Sequence, residues 1–324
     1  MSGEFRFVFR ADATVDTGAG HVKRCLTLAT EFQARGYLVI FVGRIDIPWV
    51  VQELHNMHFD IFDADNYVNS FYDILILDIY NIDADAIFYT KNLFYRTIQI
   101  IDSVTPQMDA DLYIHPGLNK SFSFPLDSEY KVISGINYLT TNTFRKVKKS
   151  SYSEMNIKSL LVIGGGTDVL DFTSNIYNYL YSIKPTGFEI HFMSEKLFHS
   201  KPQAPENFHF HRLGESLKNL MSEVDTVIST AGTSSWDFLA NHRILGVALA
   251  VDNQLDNFVY QTEKRYALSI SRYIPQKGWQ ISPLEINNLL FDNKIRSELF
   301  FNICSEFDTA GPARITERIL KLKS

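Results

Sequence analysis

Short, uniformly apolar runs rich in β-branched residues alternate with amphipathic stretches along most of the chain. The alternation predicts a doubly wound α/β protein. Residues 5–9 read as a first strand. Val22, Cys25, Leu26, Ala29 and Phe32 then recur at three- and four-residue spacing, one apolar stripe of a helix, and Gly36 supplies a left-handed stop. Residues 37–42 form the next strand, 47–57 a helix opened by Pro48, and 58–62 a short strand. The unbroken run Ile74-Leu75-Ile76-Leu77 has the pattern of a strand buried on both faces of a parallel sheet. Strands at 97–101 and 111–114 follow.

The same grammar restarts after a polar, serine-rich stretch at 146–154, where the pattern places a domain boundary. Residues 1–148 form one predicted domain and 149–324 the other. In the second, strands are expected at 160–163, 189–193, 208–211, 225–228 and 246–251, with helices at 171–183, 215–222 and through 240. Helical segments are expected over much of the remainder, closing with 311–322. Two Rossmann-like domains facing each other across a cleft are the architecture this implies.

Composition narrows the reading. Hydrophobic residues make up 45% of the 324 positions and charged ones 21%, an ordinary globular balance. The net charge of −6 leaves no basic footprint for nucleic acid. The 25 phenylalanines and 16 tyrosines are scattered through strand-like and helix-like segments and read as core. Cys25 and Cys304 have no metal-type spacing, and the start of the chain carries no signal pattern. No apolar run approaches the roughly 20 residues that span a bilayer. A reduced, cytoplasmic protein without a membrane span is expected.

Candidate chemistry gathers at the carboxyl ends of strands, where open α/β sheets bind ligands. The turn from Arg10 to Leu26 contains Gly18, Gly20 and His21 where a strand hands over to a helix. Glycines there allow close backbone approach, and the helix start offers N–H groups to an anion. Tight βα geometry alone accounts equally well for the glycines. Asp12 and Asp78 also emerge at strand ends, followed by Ile79 and Tyr80. In the second domain Gly164, Gly165, Gly166, Thr167 and Asp168 follow a buried strand without the Gly-Lys-Ser/Thr ending of a phosphate loop. Five hydroxyl residues, Ser229, Thr230, Thr233, Ser234 and Ser235, surround Ala231 and Gly232 before a helix, which suits a diphosphate. A helix cap needs only one of them. Asp237 is placed to accept from ribose hydroxyls or to complement the helix dipole. His209 and His211 alternate on a strand with no evident third ligand and read as a solvated face, so no metal is expected.

These stretches resemble the UDP-sugar hydrolases of the pseudaminic acid pathway and the related spore-coat polysaccharide proteins. The matching residues are Phe9 to Asp12 with Gly18 to Leu26, Asp78-Ile79-Tyr80, Gly165 to Asp168, Ala231 to Asp237, Asn253-Gln254 and Ala310 to Ile315. The resemblance implies the glycosyltransferase B architecture and His21 as general base, with Asp12, Asp78 and Tyr80 beside it. UDP would lie mainly on the C-terminal domain, against Gly165, Gly166, Thr167, the Ala231–Ser235 turn, Asp237, Asn253 and Gln254. The implied reaction hydrolyses a UDP-linked diacetamido-trideoxy sugar with inversion and needs no separate cofactor, UDP being part of the substrate. Other enzymes of the same sugar pathway are the implied partners. The chain departs from the family pattern at Ile79, Ser103, the 115–119 turn, Thr140-Thr141 and Asp237. Residues 79, 103 and 115–117 would then line one side of the cleft and select a different donor or acceptor. The alternative is an inverting glycosyltransferase for a capsular or flagellar glycan; a catalytically idle nucleotide-sugar binder is a third reading.

Overall fold

In each half of the chain the strand order reverses at one point, and the candidate residues collect there. The computed structural model describes residues 5–14, 17–64, 67–68, 73–80, 94–101, 108–115, 131–142, 156–165, 168, 170–213 and 217–323. Two units result: Met1–Thr141 with Ala310–Ser324, and Asn142–Thr309. The sequence boundary at 148/149 lies outside the described residues. The sequence reading leaves 310–324 with the second half, whereas the structure packs it on the first.

The first unit runs β1 (Arg6–Ala11), α1 (Gly20–Ala34), β2 (Leu38–Val42), α2 (Pro48–Asn56), β3 (Asp60–Phe62), β4 (Asp73–Asp78), β5 (Arg96–Ile100), β6 (Leu112–Ile114) and β7 (Val132–Ile133). Among the described residues these make a seven-stranded sheet ordered β3-β2-β1-β4-β5-β6-β7, with every pairing parallel. Period-2 alternation sends Phe7 and Phe9 to one face and Val8 to the other. Phe7 stacks on Phe32 of α1, and Phe9 on Phe41, so these four aromatic residues are core, whereas Phe62, Phe291 and Phe301 are exposed. Ile315 and Ile319 complete this face from the last helix of the chain (Gly311–Leu320). Asp73, at the buried start of β4, accepts from Arg6 Nε and Nη2 at 2.7 and 2.8 Å and from the Tyr67 hydroxyl at 2.6 Å.

The second unit repeats the plan: β8 (Ser159–Ile163), α3 (Phe172–Ile183), β9 (Glu189–Met193), α4 (Glu195–Ser200), β10 (Phe208–His211), α5 (Leu217–Glu223), β11 (Thr226–Thr230), α6 (Ser234–Ala240) and β12 (Ile244–Leu249). It continues with α7 (Leu255–Glu263), β13 (Ala267–Ile274), β14 (Gly278–Ile281), α8 (Pro283–Phe291) and α9 (Asn293–Glu306); α10 (Gly311–Leu320) belongs to the first unit. The sheet order is β10-β9-β8-β11-β12-β13-β14. Its last pair is antiparallel, a hairpin in the stretch expected to be mostly helical. Gln276 and Gly278 hold positive φ of 68° and 73° in its turn. Among the described residues no helix is long and apolar enough to cross a membrane.

Candidate active site

The order of each sheet reverses between its first and fourth strands, β1 and β4 or β8 and β11, the place where doubly wound sheets bind ligands. In the first unit α1 begins just past β1, and His21 occupies its first turn. Its N-cap residue is Ala19, whose methyl cannot cap the helix start. Gly18 has φ +71°, and a Cβ at Gly18 or Gly20 would meet nothing within 4 Å, so the backbone there stands open.

Asp78 ends β4, fully buried, and gathers donors from one face of α1. His21 Nδ1 lies 2.6 Å from Asp78 Oδ1. Arg24 clamps the same carboxylate through Nε to Oδ2 and Nη2 to Oδ1. Cys25 Sγ donates to Oδ2 at 3.7 Å. His21, Arg24 and Cys25 stand at i, i+3 and i+4, the spacing that brings helical side chains together. Burial by itself would push the Asp78 carboxyl up. The charge and hydrogen bonds of Arg24, then those of His21, outweigh it and bring it down to about 2. Burial pushes the Cys25 thiol well up, reinforced by the Asp78 charge, so it stays protonated. The Tyr80 ring meets His21 edge-on at 4.4 Å between centroids and is 40% exposed. His21, Asp78 and Tyr80 are thus brought together as expected.

Arg24 was not among the residues expected to carry chemistry. Its signal was the i, i+3 spacing from His21, which a reading of the apolar stripe passes over. Asp12 belongs elsewhere: it accepts from Arg10 at 2.5 Å and from the Arg44 backbone N–H at 2.8 Å. That fastens the turn after β2, beside Gly43, where a Cβ would overlap the Ala11 carbonyl. Ile79 also differs from expectation. It is buried in an apolar cluster with Val8, Ile40, Val42, Leu75, Leu77 and Phe94, where it serves packing. His115 is buried; Ser103 and residues 116–119 lie outside the described residues.

In the second unit the turns after β8 and β11 converge. A Cβ on Gly165 would stand 3.6 Å from Thr230 Oγ1, and one on Gly232 would meet Gln254 Nε2 at 3.4 Å. Thr233 and Asn253 are exposed and Ser234 half-buried. Gly166 and Thr167 lie outside the described residues. Ala231 is buried, bound through its N–H to the Ala248 carbonyl. Ser235 differs from expectation. Its hydroxyl donates to the Gly232 carbonyl at 2.7 Å and accepts from Gln261 at 2.8 Å, and it is fully buried. It shapes the turn from inside. Asp237 likewise accepts from Asn142, at 2.7 Å from the backbone N–H and 3.2 Å from the side-chain amide, and so holds the unit's first residue.

His191 supplies a neighbour for the two strand histidines: its Nδ1 lies 2.9 Å from His211 Nε2, and its ring stacks on His209 at 5.0 Å. Among the described residues no group of three or more His, Cys, Asp or Glu is arranged to hold a metal ion.

No protein-family model matches the chain. An uncharacterized protein of Methanocaldococcus jannaschii, MJ1062, is 24% identical over an alignment of 280 residues that covers 77% of this chain and 56% of that protein. The chain thus spans about half the length of this curated relative. Among solved structures, MurG of Acinetobacter baumannii superposes with a TM-score of 0.64 at 13% identity, covering 98% of this chain and 99% of that one. CalG4, the calicheamicin glycosyltransferase, superposes with a TM-score of 0.59 at 12% identity, covering 98% of each. At such identities the likeness is one of fold. The chain has the fold of the glycosyltransferase B enzymes, two Rossmann-like α/β domains in sequence.

Proposed function

We propose that this chain transfers a glycosyl group from a nucleotide sugar, with His21 as the general base. The observation that carries the reading is the His21–Asp78 pair at the strand-order reversal of the first unit. Asp78 orients the imidazole and stabilises the imidazolium, while the other ring nitrogen takes the acceptor's proton. The acceptor oxygen attacks the anomeric carbon, and the bond from that carbon to the diphosphate oxygen breaks with inversion. The electron pair leaves with the nucleoside diphosphate. A phosphate's second ionisation lies near about pH 6, so the leaving group departs near neutrality without a dedicated acid. The turns at Gly165, Thr230, Gly232 and Gln254 are the proposed seat of the diphosphate, with N–H groups and a hydroxyl to hold departing charge.

Two acceptors compete, an alcohol and water. The names of several structural neighbours, the calicheamicin glycosyltransferase CalG4 among them, state glycosyl transfer and support an alcohol. The Gly18-Ala19-Gly20-His21 to Leu26 match supports the second reading, hydrolysis of a UDP-linked diacetamido-trideoxy sugar in the pseudaminic acid or a surface-polysaccharide pathway. Incubation with a panel of UDP- and CMP-sugars, with and without alcohol acceptors, separates them. Nucleotide release that requires an added acceptor establishes transfer, and equal release without one establishes hydrolysis. UDP binding with no turnover of any donor would leave an idle binder and end the enzymatic reading.

A further inference from the structure

A histidine base must present an unprotonated nitrogen, and His21 has two candidates. Nδ1 stands 2.6 Å from Asp78 Oδ1 and 3.1 Å from Arg24 Nη2. The neighbours demand opposite things of it, because a carboxylate accepts and a guanidinium only donates. A lone pair on Nδ1 facing a carboxylate oxygen at 2.6 Å would be repulsive, whereas an N–H there makes a short charge-assisted bond. Nδ1 therefore carries the proton. The 3.1 Å to Nη2 is the spacing of two donors that share one acceptor, since Arg24 Nη2 also reaches Oδ1. The lone pair is left on Nε2.

That assignment depends on Asp78 remaining an anion in this orientation. A protonated Asp78 would donate to Nδ1, and the ring would then carry its proton on Nε2, where it has nothing to accept with. Asp78 is buried with 1% of its surface exposed, an environment that favours the neutral acid. What opposes burial is a cation that does not lose its proton, Arg24, applied as a two-pronged fork that fixes both oxygens. Arg24 is itself buried, so the fork is shielded from water along with the carboxylate it holds. A lysine in its place would supply the charge from a single point and leave the carboxylate free to rotate.

We propose that Arg24 is a positioning residue: its guanidinium holds Asp78 ionised and in register with His21 Nδ1, and so keeps Nε2 of His21 open as the base. The chemical consequence rests on the function proposed above; the tautomer does not. Arg24 and Asp78 cancel in charge, so the pair orients the ring while adding no net charge of its own. The residues involved come from one helical turn and one strand end, and none of them needs substrate to be in place.

The test uses the full-length protein labelled with nitrogen-15 histidine, observed by long-range proton–nitrogen correlation at about pH 8, above the ordinary histidine range. The His21 signals are assigned by their loss in His21→Gln. The wild-type protein should show a protonated Nδ1 and an unprotonated Nε2. In Arg24→Met the pattern should move toward the Nε2–H form, and kcat for nucleotide release should fall by about 10- to 100-fold with KM within about threefold, as for a misplaced catalytic group. Arg24→Lys should be intermediate in both readouts. An unchanged tautomer in a folded Arg24→Met overturns the proposal; if that variant does not fold, an unchanged tautomer in Arg24→Lys does so. A tautomer that shifts in a protein releasing nucleotide from no donor sustains the positioning role and discards the base reading instead.

Discussion

Asp78 at the end of β4 and His21 in the first turn of α1 are 57 residues apart in sequence and 2.6 Å apart in space. Both are buried, at 1% and 5% exposure, so the bond between them is shielded from water and screened little by salt. Parallel pairing of β1 with β4 sets this distance, because Ala11 and Asp78 are register partners at the ends of the two strands.

Loss of the imidazole should abolish turnover without unfolding the chain. His21→Leu and His21→Asn are expected to lower nucleotide release by roughly two to four orders of magnitude, the size of a general-base contribution. Circular dichroism should be unchanged. Near wild-type release in His21→Leu would remove His21 from the reaction.

Asp78 makes an acid-sensitive contribution to stability. Its pKa falls from 3.8 to about 2 on folding, so the unfolded state binds more protons between those values. The stabilisation is complete above about pH 5 and is lost as pH falls toward 2. At 1.36 kcal/mol per unit it amounts to something on the order of 2 kcal/mol. Urea titrations at neutral pH and near pH 3 should show the advantage of wild type over Asp78→Asn shrinking in acid. A constant difference across that range would contradict the ionised, clamped carboxylate.

The proposed diphosphate seat is tested at Gly232. A single methyl at this position meets Gln254 Nε2 at 3.4 Å, so Gly232→Ala should fold and bind with little change. The two branches of Gly232→Val must displace Gln254. UDP affinity, measured by calorimetry, should then drop by at least about tenfold, roughly 1.4 kcal/mol. Unchanged affinity in a folded valine variant would place the nucleotide elsewhere.

The histidine cluster of β9 and β10 should weaken the second unit in mild acid. Burial first, then the charges of His211 and His209, lower His191 from 6.5 to about 4, with Glu189 opposing; burial lowers His211 as well. The unfolded chain thus takes up more protons across this window, and stability falls as pH drops from about 6.5 toward 4. Urea midpoints at pH 7 and pH 5 should differ more for wild type than for His191→Gln. Equal slopes would show that the imidazoles titrate freely in the folded protein.

The strand–helix rhythm carried most of the fold. Residues 189–193 and 208–211 were predicted to the residue, because apolar side chains there face a core at period two. The hairpin of β13 and β14 escaped because its polar alternation, as in Ser269, Ser271 and Arg272, resembles a helix surface in so short a window. At the site, His21 and Asp78 were legible from glycine and strand-end context. Arg24 was not, since a buried arginine is recognised only once its carboxylate partner is placed beside it. Ile79, Ser235 and Asp237 stood in suggestive stretches, but strand alternation turned Ile79 to packing, a local hydrogen bond turned Ser235 to turn formation, and Asp237 is held by Asn142, 95 residues away. Motif spacing shows which residues are near one another and not which way they face.

The return of α10 to the first unit has a consequence for biogenesis. Gly311 sits against the Leu139 backbone, where a Cβ would overlap the carbonyl, and Ile315 and Ile319 close the core beneath α1. During synthesis the second unit emerges whole and in order, whereas the helix carrying His21 waits for a segment nearly 300 residues downstream. The unit that holds the His21–Asp78 pair therefore closes its core only once α10 has been made, and a chain cut before α10 carries a second unit with all its strands beside a first unit missing one wall. Truncation before Gly311 is expected to loosen the first unit while the second keeps its fold.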